Sequence, residues 1–226
     1  MRIQLASDLH LEFLERKDPQ ARLVVPAPGA DLLVLAGDIH NGVKGIEAFA
    51  YWPVPVVYLA GNHEFYDHDW ESTRQDLRSA CAGTQVTFLD NDSIEFKGVR
   101  ILGCTLWTDF RLGESTQAQA MEAVERGLMD YHVIRTASGP LRAQQTLADH
   151  ERSRSWLEGK LAMPFDGTTV VVTHHGPHQL SIHPRFAGNA LNPGFISDLT
   201  PLLRDADLWL HGHTHDSFDY RIGRCQ

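Results

Sequence analysis

Long hydrophobic runs are absent from this chain of 226 residues. The longest, such as residues 32–36, extend over about five to seven residues, whereas a helix needs about 20 to span a bilayer. The chain begins like a strand and reaches an acidic residue, Asp8, without a long apolar segment, so we expect no signal peptide. These features exclude a membrane protein and predict one that is not secreted.

Cysteine and positive charge are also scarce. The three cysteines, Cys81, Cys104 and Cys225, share no short spacing, which excludes a disulfide framework or a cysteine-based zinc site and is typical of the reducing cytoplasm. The 20 Lys and Arg residues are outnumbered by 29 Asp and Glu residues, for a formal net charge of −9. Because nucleic-acid binders usually carry a basic face, we expect a small ligand rather than nucleic acid. The sequence leaves a homo-oligomer open.

Short, continuous apolar runs alternate with helical patterns along the chain. Continuous rather than alternating runs predict strands that are buried on both faces. The runs at residues 86–89, 93–96 and 100–106 are separated by turn residues and predict a meander. Together with the strand–helix alternation they indicate an α/β fold with a mixed sheet or two packed sheets. No repeat or long linker divides the chain, so we predict a single domain over residues 1–226. Helices are predicted for residues 69–80, 116–132, 141–163 and 197–204.

Histidine, by contrast, occurs 13 times, and many of these residues follow apolar runs. The loops at the carboxyl ends of strands in α/β sheets converge on one crevice, so polar clusters placed there are expected to meet. Pairs spaced by two, such as Asp8 and His10, point to the same side of an extended chain. The five clusters that end apolar runs are Ser7-Asp8-Leu9-His10, Gly37-Asp38-Ile39-His40, Gly61-Asn62-His63-Glu64, His174-His175-Gly176-Pro177 and His211-Gly212-His213-Thr214-His215.

The donor types in these clusters indicate a metal site. Carboxylates, imidazoles and an amide without thiolates favour Mn²⁺, Zn²⁺ or Fe over Ca²⁺ or a lone Mg²⁺, which prefer oxygen ligands. Two aspartates, one asparagine and four histidines exceed what one ion needs. The sequence therefore predicts two divalent metal ions that share a carboxylate.

In order and context, these motifs resemble those of the calcineurin-like metallophosphoesterases. The resemblance implies a central β-sandwich of two mixed sheets flanked by helices, in four α/β/β/α layers, with a dinuclear site at one edge. The motifs that carry it are Asp8-x-His10, Gly37-Asp38, Gly61-Asn62-His63-Glu64, His174-His175 and Gly212-His213-x-His215.

The resemblance also implies a role for each ligand. Asp8, His10, Asp38 and His215 would hold the first ion. The bridging Asp38 with Asn62, His174 and His213 would hold the second. His63 would lie beside the phosphate, which makes His63 and Asp38 the expected catalytic residues. For substrate binding the candidates are His63, Asn62, His175 and His40.

General chemistry then supplies a mechanism, in which a hydroxide that bridges the two cations attacks phosphorus in line with the leaving oxygen. His63, oriented by Asp38 or Glu64, would protonate that oxygen or stabilise the transition state. The expected activity is a cytoplasmic phosphodiesterase or phosphomonoesterase that acts on a small phosphoester.

Two alternative functions stay open. A nuclease or nucleotide pyrophosphohydrolase of the same fold would need a basic groove built around Arg135, Arg142 or Arg185. A non-catalytic scaffold, which belongs to another functional class, would have degraded metal motifs, and here none is degraded.

Two segments also have open interpretations. Residues 107–140 either cap the metals, with Trp107 as an aromatic wall and Arg135 for the phosphate, or form an edge helix on the sandwich. The loop at residues 183–193 follows a ligand histidine, so we expect substrate selectivity there, with Arg185 as the residue to test.

Overall fold

The computed structural model describes residues 1–18 and 23–226 of the chain. Within these ranges, no helix combines the length and the apolar character required to cross a bilayer. The strands, in chain order, are Ile3–Ala6 (β1), Leu32–Ala36 (β2), Val56–Leu59 (β3), Val86–Phe88 (β4), Asp92–Phe96 (β5), Val99–Cys104 (β6), Arg135–Thr136 (β7), Gly139–Pro140 (β8), Thr168–Thr173 (β9) and Leu208–Leu210 (β10). The α-helices are Leu11–Glu15 (α1), Lys44–Phe49 (α2), Trp70–Ala80 (α3), Gln117–Gly127 (α4), Asp130–Val133 (α5), Ala143–Leu161 (α6) and Thr200–Leu203 (α7). Short 3₁₀ turns are formed by His63–Phe65, Gln179–Ser181, Pro184–Phe186 and Asn192–Gly194.

Eight of these strands form two four-stranded sheets. The first sheet has the order β1-β2-β3-β4, and all of its strands are parallel. The second has the order β10-β9-β6-β5, in which only β5 runs antiparallel to its neighbour. The predicted α/β sandwich with flanking helices is confirmed. The sequence predicts two mixed sheets, but only the second sheet is mixed, and the first is wholly parallel.

Alternate residues of β2 face two different cores, as the two-residue period of a strand requires. Leu33 and Leu35 pack into a cluster with the helices on one side. Val34 points to the other side and packs between the sheets with Ile101 and Val170. A third cluster joins α6 and α7 to the outer face of the second sheet. The continuous apolar runs therefore reflect strands covered on both faces.

The predicted meander is present only in part. β5 and β6 form an antiparallel hairpin whose turn, Lys97-Gly98, has positive φ angles of 49° and 74°. β4 instead pairs in parallel with β3 and belongs to the first sheet. The turn around Asn91, which also has a positive φ of 52°, carries the chain from one sheet to the other.

The helix predicted for residues 116–132 is divided in two. Its start is capped by Thr116, whose side chain accepts a hydrogen bond from the Gln119 backbone. The first part ends at Gly127, and Leu128 adopts an extended conformation. α5 then begins at Asp130. Leu128 and Met129 therefore form a short, non-helical connection between the two helices.

Candidate metal centre

The loops that follow β1, β2, β3, β9 and β10 meet at one edge of the sandwich. Backbone hydrogen bonds join them: the Asp8 amide donates to the Gly37 carbonyl at 3.0 Å, and the Gly212 amide to the His174 carbonyl at 3.1 Å. This edge collects all the ligand candidates predicted from the sequence, namely Asp8, His10, Asp38, Asn62, His174, His213 and His215.

Six of these residues fall into two groups whose ligand atoms lie within 4.8 Å of one another. Asp38 belongs to both groups, which is the arrangement expected of a carboxylate shared by two ions. The first group is Asp8, His10, Asp38 and His215, and the second is Asp38, His174 and His213.

The second group gathers acceptor atoms around His174. Its Nδ1 lies 2.9 Å from the Ala36 carbonyl, to which it must donate, so the neutral ring presents a lone pair at Nε2. That nitrogen faces Asn62 Oδ1 at 3.0 Å, His213 Nδ1 at 3.1 Å and Asp38 Oδ2 at 3.4 Å. Asn62, the ligand candidate outside the two groups, therefore points its oxygen to the same place. Converging nitrogen and oxygen acceptors fit a bound cation of the Mn²⁺, Zn²⁺ or Fe type.

The first group is built the same way on the more open side of the edge. His10 Nε2 and His215 Nε2 face each other at 3.0 Å, and His215 Nε2 lies 3.5 Å from Asp8 Oδ1. The Asp8 carboxylate is held in place because it accepts the His213 amide at 2.9 and 3.0 Å. The donor set again fits a borderline divalent cation.

The charges of this site also favour a cation. Burial by itself raises the pKa of Asp38, but the adjacent His174 and His63 outweigh burial and hold it below its ordinary range. Burial lowers the pKa of His174, and the charge of Asp38 more than offsets this and raises it to about 10. A positive charge is thus strongly stabilised beside Asp38, and a metal ion supplies one without a proton.

The backbone at the ligand positions is not extended. Asp8 and His10 have φ angles of 54° and 44°, and His213 and His215 have φ angles of 70° and 53°. The inference from extended geometry is therefore wrong, although each pair does converge. Left-handed conformations are costly for residues with a Cβ, so part of the backbone strain in this chain lies at the ligand positions.

Gly61 leaves room for two ligands to approach the backbone. A Cβ at this position would overlap Asp38 Oδ1 and lie 2.6 Å from the His174 ring. Only glycine lets the carboxylate and the imidazole lie this close to the loop.

His63 lies beside the first group, and Glu12 orients its ring. His63 Nδ1 is 2.9 Å from Glu12 Oε1, so its Nε2 is the nitrogen turned toward Asp38, 4.0 Å from Oδ2. The ring stacks on Tyr66 with a centroid separation of 4.0 Å. Glu12 is only 6% exposed and also lies 3.5 Å from His10 Nδ1. One buried carboxylate therefore supports both a ligand candidate and the predicted catalytic histidine.

Glu64 does not orient the His63 ring, contrary to one of the two sequence-based alternatives. Its carboxylate is fully buried and accepts the Asp38, Ile39 and Gly61 amides at 3.0, 2.9 and 2.7 Å and the Tyr58 hydroxyl at 2.7 Å. Asp38, the other alternative, accepts the His63 backbone amide rather than the ring, at 2.8 Å. Glu64 thus fastens the loop after β2 to the loop after β3.

Asp130 is a further residue that sequence reasoning missed. Its Oδ1 accepts the Asn62 side-chain amide at 2.8 Å and the Tyr66 hydroxyl at 2.6 Å. These contacts occupy the Asn62 nitrogen and leave its oxygen facing His174. Asp130 begins α5, so the break between the two helices is what brings this carboxylate to the centre.

A cavity of about 500 Å³ opens directly beside the two groups. Asp38, Asn62, His63, His213 and His215 line its inner end. Its outer walls come from residues 127–130 and from the loop that includes residues 181–196. A small ligand in this cavity would contact both groups and His63.

The sequence model of the calcineurin-like phosphoesterase family matches residues 1–217. The chain belongs to this family. It is therefore a metal-dependent phosphoester hydrolase, and its family uses a dinuclear metal centre.

Solved structures show the same fold. The phosphopantetheinyl hydrolase from Mycobacterium tuberculosis superposes with a TM-score of 0.70 at 19% identity, over 99% of this chain and 87% of that one. A second solved structure gives a TM-score of 0.52 at 11% identity, again over 99% and 87% of the two chains. No curated protein sequence matches the phosphoesterase significantly.

Two of the candidates for substrate binding lie away from the cavity of the phosphoesterase. His175 is fully buried behind His213, with ring centroids 4.2 Å apart, and its other face packs on Trp107. His40 is buried, and its Nε2 lies 3.1 Å from Oε2 of Glu15, the last residue of α1. Neither is among the residues that line the cavity, whereas Asn62 and His63 are.

The segment at residues 107–140 lines part of the cavity, but not through Trp107 or Arg135. Trp107 is 2% exposed and belongs to the core, so it forms no wall. Arg135 is exposed and does not line the cavity. The part that reaches the cavity is residues 127–130.

Proposed function

We propose that this phosphoesterase hydrolyses small phosphodiesters or phosphomonoesters at the edge where the two ligand groups meet. The observation that carries the proposal is Asp38, which is shared by both groups while His63 lies beside it at the inner end of the cavity. Asp8, His10 and His215 would complete one ion site. Asn62, His174 and His213 would complete the other.

Two divalent cations in this position would polarise the phosphoryl oxygens and make hydroxide available near neutral pH. The chain's own part is to hold the ester in the cavity and to move a proton. His63 Nδ1 is engaged by Glu12, so the ring can donate from Nε2 to the leaving oxygen of an ester bound near Asp38. Burial lowers the pKa of His63, but the hydrogen bond to Glu12 and the charge of Asp38 raise it above its ordinary value. Both interactions therefore favour the protonated form of the His63 ring.

The shape and charge of the cavity support a small substrate rather than a nucleic acid. Of the three arginines considered for a basic groove, only Arg185 lines the cavity. Arg142 is paired with Glu125 at 3.5 Å, and Arg135 lies outside the lining residues. The nuclease alternative therefore has little support.

We also propose that the protein works in the cytoplasm, which agrees with its three unpaired cysteines. A phosphopantetheinyl ester is worth including among the trial substrates, because one protein of similar fold is a phosphopantetheinyl hydrolase.

The test is metal reconstitution. The protein is stripped with a chelator and loaded with Mn²⁺, Zn²⁺, Fe²⁺ or Mg²⁺ in turn. Each sample is then assayed on bis-p-nitrophenyl phosphate and on p-nitrophenyl phosphate, with Asp38→Ala as the inactive control. We expect hydrolysis to return with metal and the ratio of the two rates to give the preference for diester or monoester. Bound metal without hydrolysis of any trial ester would contradict the proposal.

A further inference from the structure

The cavity beside the metal centre continues outward along an apolar wall. Leu128, Met129, Phe186, Leu191 and Phe195 line it, and they come from two segments that are distant in sequence. Met129 is 57% exposed and Phe186 is 42% exposed. Large apolar side chains that remain open to solvent next to a reactive centre indicate a surface that is covered when substrate binds.

Two glycines allow the segments to form one wall. A Cβ on Gly127 would lie 2.7 Å from Leu191 Cδ2, and a Cβ on Gly194 would lie 2.8 Å from Leu128 Cδ1. Without side chains at these positions, the connection between α4 and α5 packs directly on the 192–194 turn. Leu128 and Leu191 thereby lie side by side along the cavity.

The wall begins at the metal centre itself. The ring of Phe195 lies over His213, with centroids 4.5 Å apart and an interplanar angle of 31°. An ester whose phosphate occupies the centre would therefore direct one of its organic groups along this wall.

Among the residues that the structure describes, the wall has no unpaired lysine or arginine. Arg185 is the one lysine or arginine among the described residues that line the cavity. Its guanidinium donates to Asp216 Oδ2 at 2.7 Å and lies over the Phe186 ring at 4.7 Å. A second phosphate or a carboxylate on the substrate would thus meet a guanidinium that already has a carboxylate partner.

We propose that this apolar wall is a subsite for an uncharged, largely apolar group esterified to the phosphate. The enzyme then prefers alkyl or aryl phosphoesters to nucleotides and to other esters with a second anionic group. The location of the phosphate rests on the proposed function, whereas the apolar preference rests on the wall.

The test compares p-nitrophenyl phosphodiesters whose second group is methyl, hexyl or 5-carboxypentyl. We expect kcat/KM to rise about twofold for each added methylene, less than for a fully buried group because the wall is open on one side. The hexyl ester should therefore react roughly 30-fold faster than the methyl ester at low concentration. The 5-carboxypentyl ester, which is of similar length, should lose most of this gain.

The variants Met129→Ala and Phe186→Ala should each lower the ratio of hexyl to methyl kcat/KM. Met163→Ala is the matched control, since Met163 is 56% exposed and accepts a hydrogen bond from Arg100 at the opposite end of the second sheet. Using the ratio cancels any common loss of activity. Calorimetric binding of hexylphosphonate and methylphosphonate to the metal-loaded protein measures the same preference without turnover.

Equal kcat/KM for the three esters, together with equal affinity for the two phosphonates, would overturn the subsite. If no ester were hydrolysed but hexylphosphonate bound more tightly, and Met129→Ala removed the difference, the proposed function would fail while the subsite would stand. If the ratio of hexyl to methyl kcat/KM fell as much in Met163→Ala as in Met129→Ala and Phe186→Ala, the change would be a general effect on folding. That result would also overturn the subsite.

Discussion

Replacing Glu12 by glutamine would remove one negative charge from behind two histidines of the metal centre. Glu12 is buried, lies 2.9 Å from His63 Nδ1 and 3.5 Å from His10 Nδ1, and belongs to α1. Glutamine keeps the length of the side chain and one acceptor oxygen. The substitution therefore tests the charge of Glu12 rather than its shape.

The expected size of the effect follows from the pKa of Glu12. Burial raises this pKa, but the hydrogen bonds of His10 and His63 outweigh burial and lower it from 4.5 to about 2. At about 1.4 kcal/mol per pKa unit, the charged form contributes up to about 3 kcal/mol of stability. Because the folded pKa is depressed, this contribution is present above pH 4.5 and is lost as the pH falls through about 2. Since glutamine retains one hydrogen bond, we expect Glu12→Gln to lose about 1–2 kcal/mol at pH 7.

Activity should change more than stability. Carboxylates that support metal-ligating histidines are worth about 10-fold to 100-fold in metal affinity or activity. The loss of the Glu12 charge also lowers the pKa of His63, because the Glu12 hydrogen bond is what raises it most. If His63 donates a proton, the rate falls as the pH rises through the pKa of His63. A lower His63 pKa should therefore move the alkaline limb of the pH–rate profile to lower pH in Glu12→Gln.

The assay combines urea unfolding at pH 7 with a pH–rate profile of the metal-loaded enzyme. Glu15→Gln is the matched control, since Glu15 lies on the same helix and contacts His40 at 3.1 Å but is 50% exposed. We expect it to change stability by less than about 1 kcal/mol and to leave the profile in place. A Glu12→Gln enzyme with the wild-type profile and wild-type kcat would refute the role of Glu12.

Four other substitutions test the centre. Asp38→Ala should abolish both metal loading, measured by elemental analysis, and activity. His63→Ala should keep the metals but slow turnover about 10²-fold to 10⁴-fold. Loss of the metals in His63→Ala would contradict the catalytic role of His63. Asp130→Ala frees the Asn62 side-chain amide to rotate, so metal affinity should fall about 10-fold to 100-fold in a chelator-competition assay. An unchanged metal affinity would show that Asp130 does not position Asn62. Gly61→Ala places a Cβ on the Asp38 carboxylate, so we expect the folded protein to bind less metal; full loading with both ions would show that the loop relaxes freely.

Much of the centre could be predicted from the sequence because its ligands directly follow apolar runs. Asp8, Asp38 and Asn62 are found where the ends of parallel strands place them, as general α/β geometry requires. The sequence could not reveal the left-handed backbone at Asp8 and His10, because two-residue spacing indicates extended chain when only local geometry is considered.

The supporting carboxylates show the limit of such reasoning. Glu12 follows His10 by two residues and could have been included as an extension of the first motif. Asp130 is 68 residues away from Asn62, and no local pattern connects them. The direction of the Glu64 carboxylate was equally open, since a residue adjacent to His63 can turn either to the ring or to the backbone.

The sequence alone determined the class of chemistry, because the types of the ligand residues and their order along the chain are properties of the sequence and do not depend on how the chain folds. The tertiary structure decided how those residues are held and what lies beside them. The apolar wall depends on a helix that ends at Gly127 and on a loop some 60 residues later that packs against it. Contacts of this kind arise from chain crossing and close packing, and neither is encoded in the neighbourhood of any single residue.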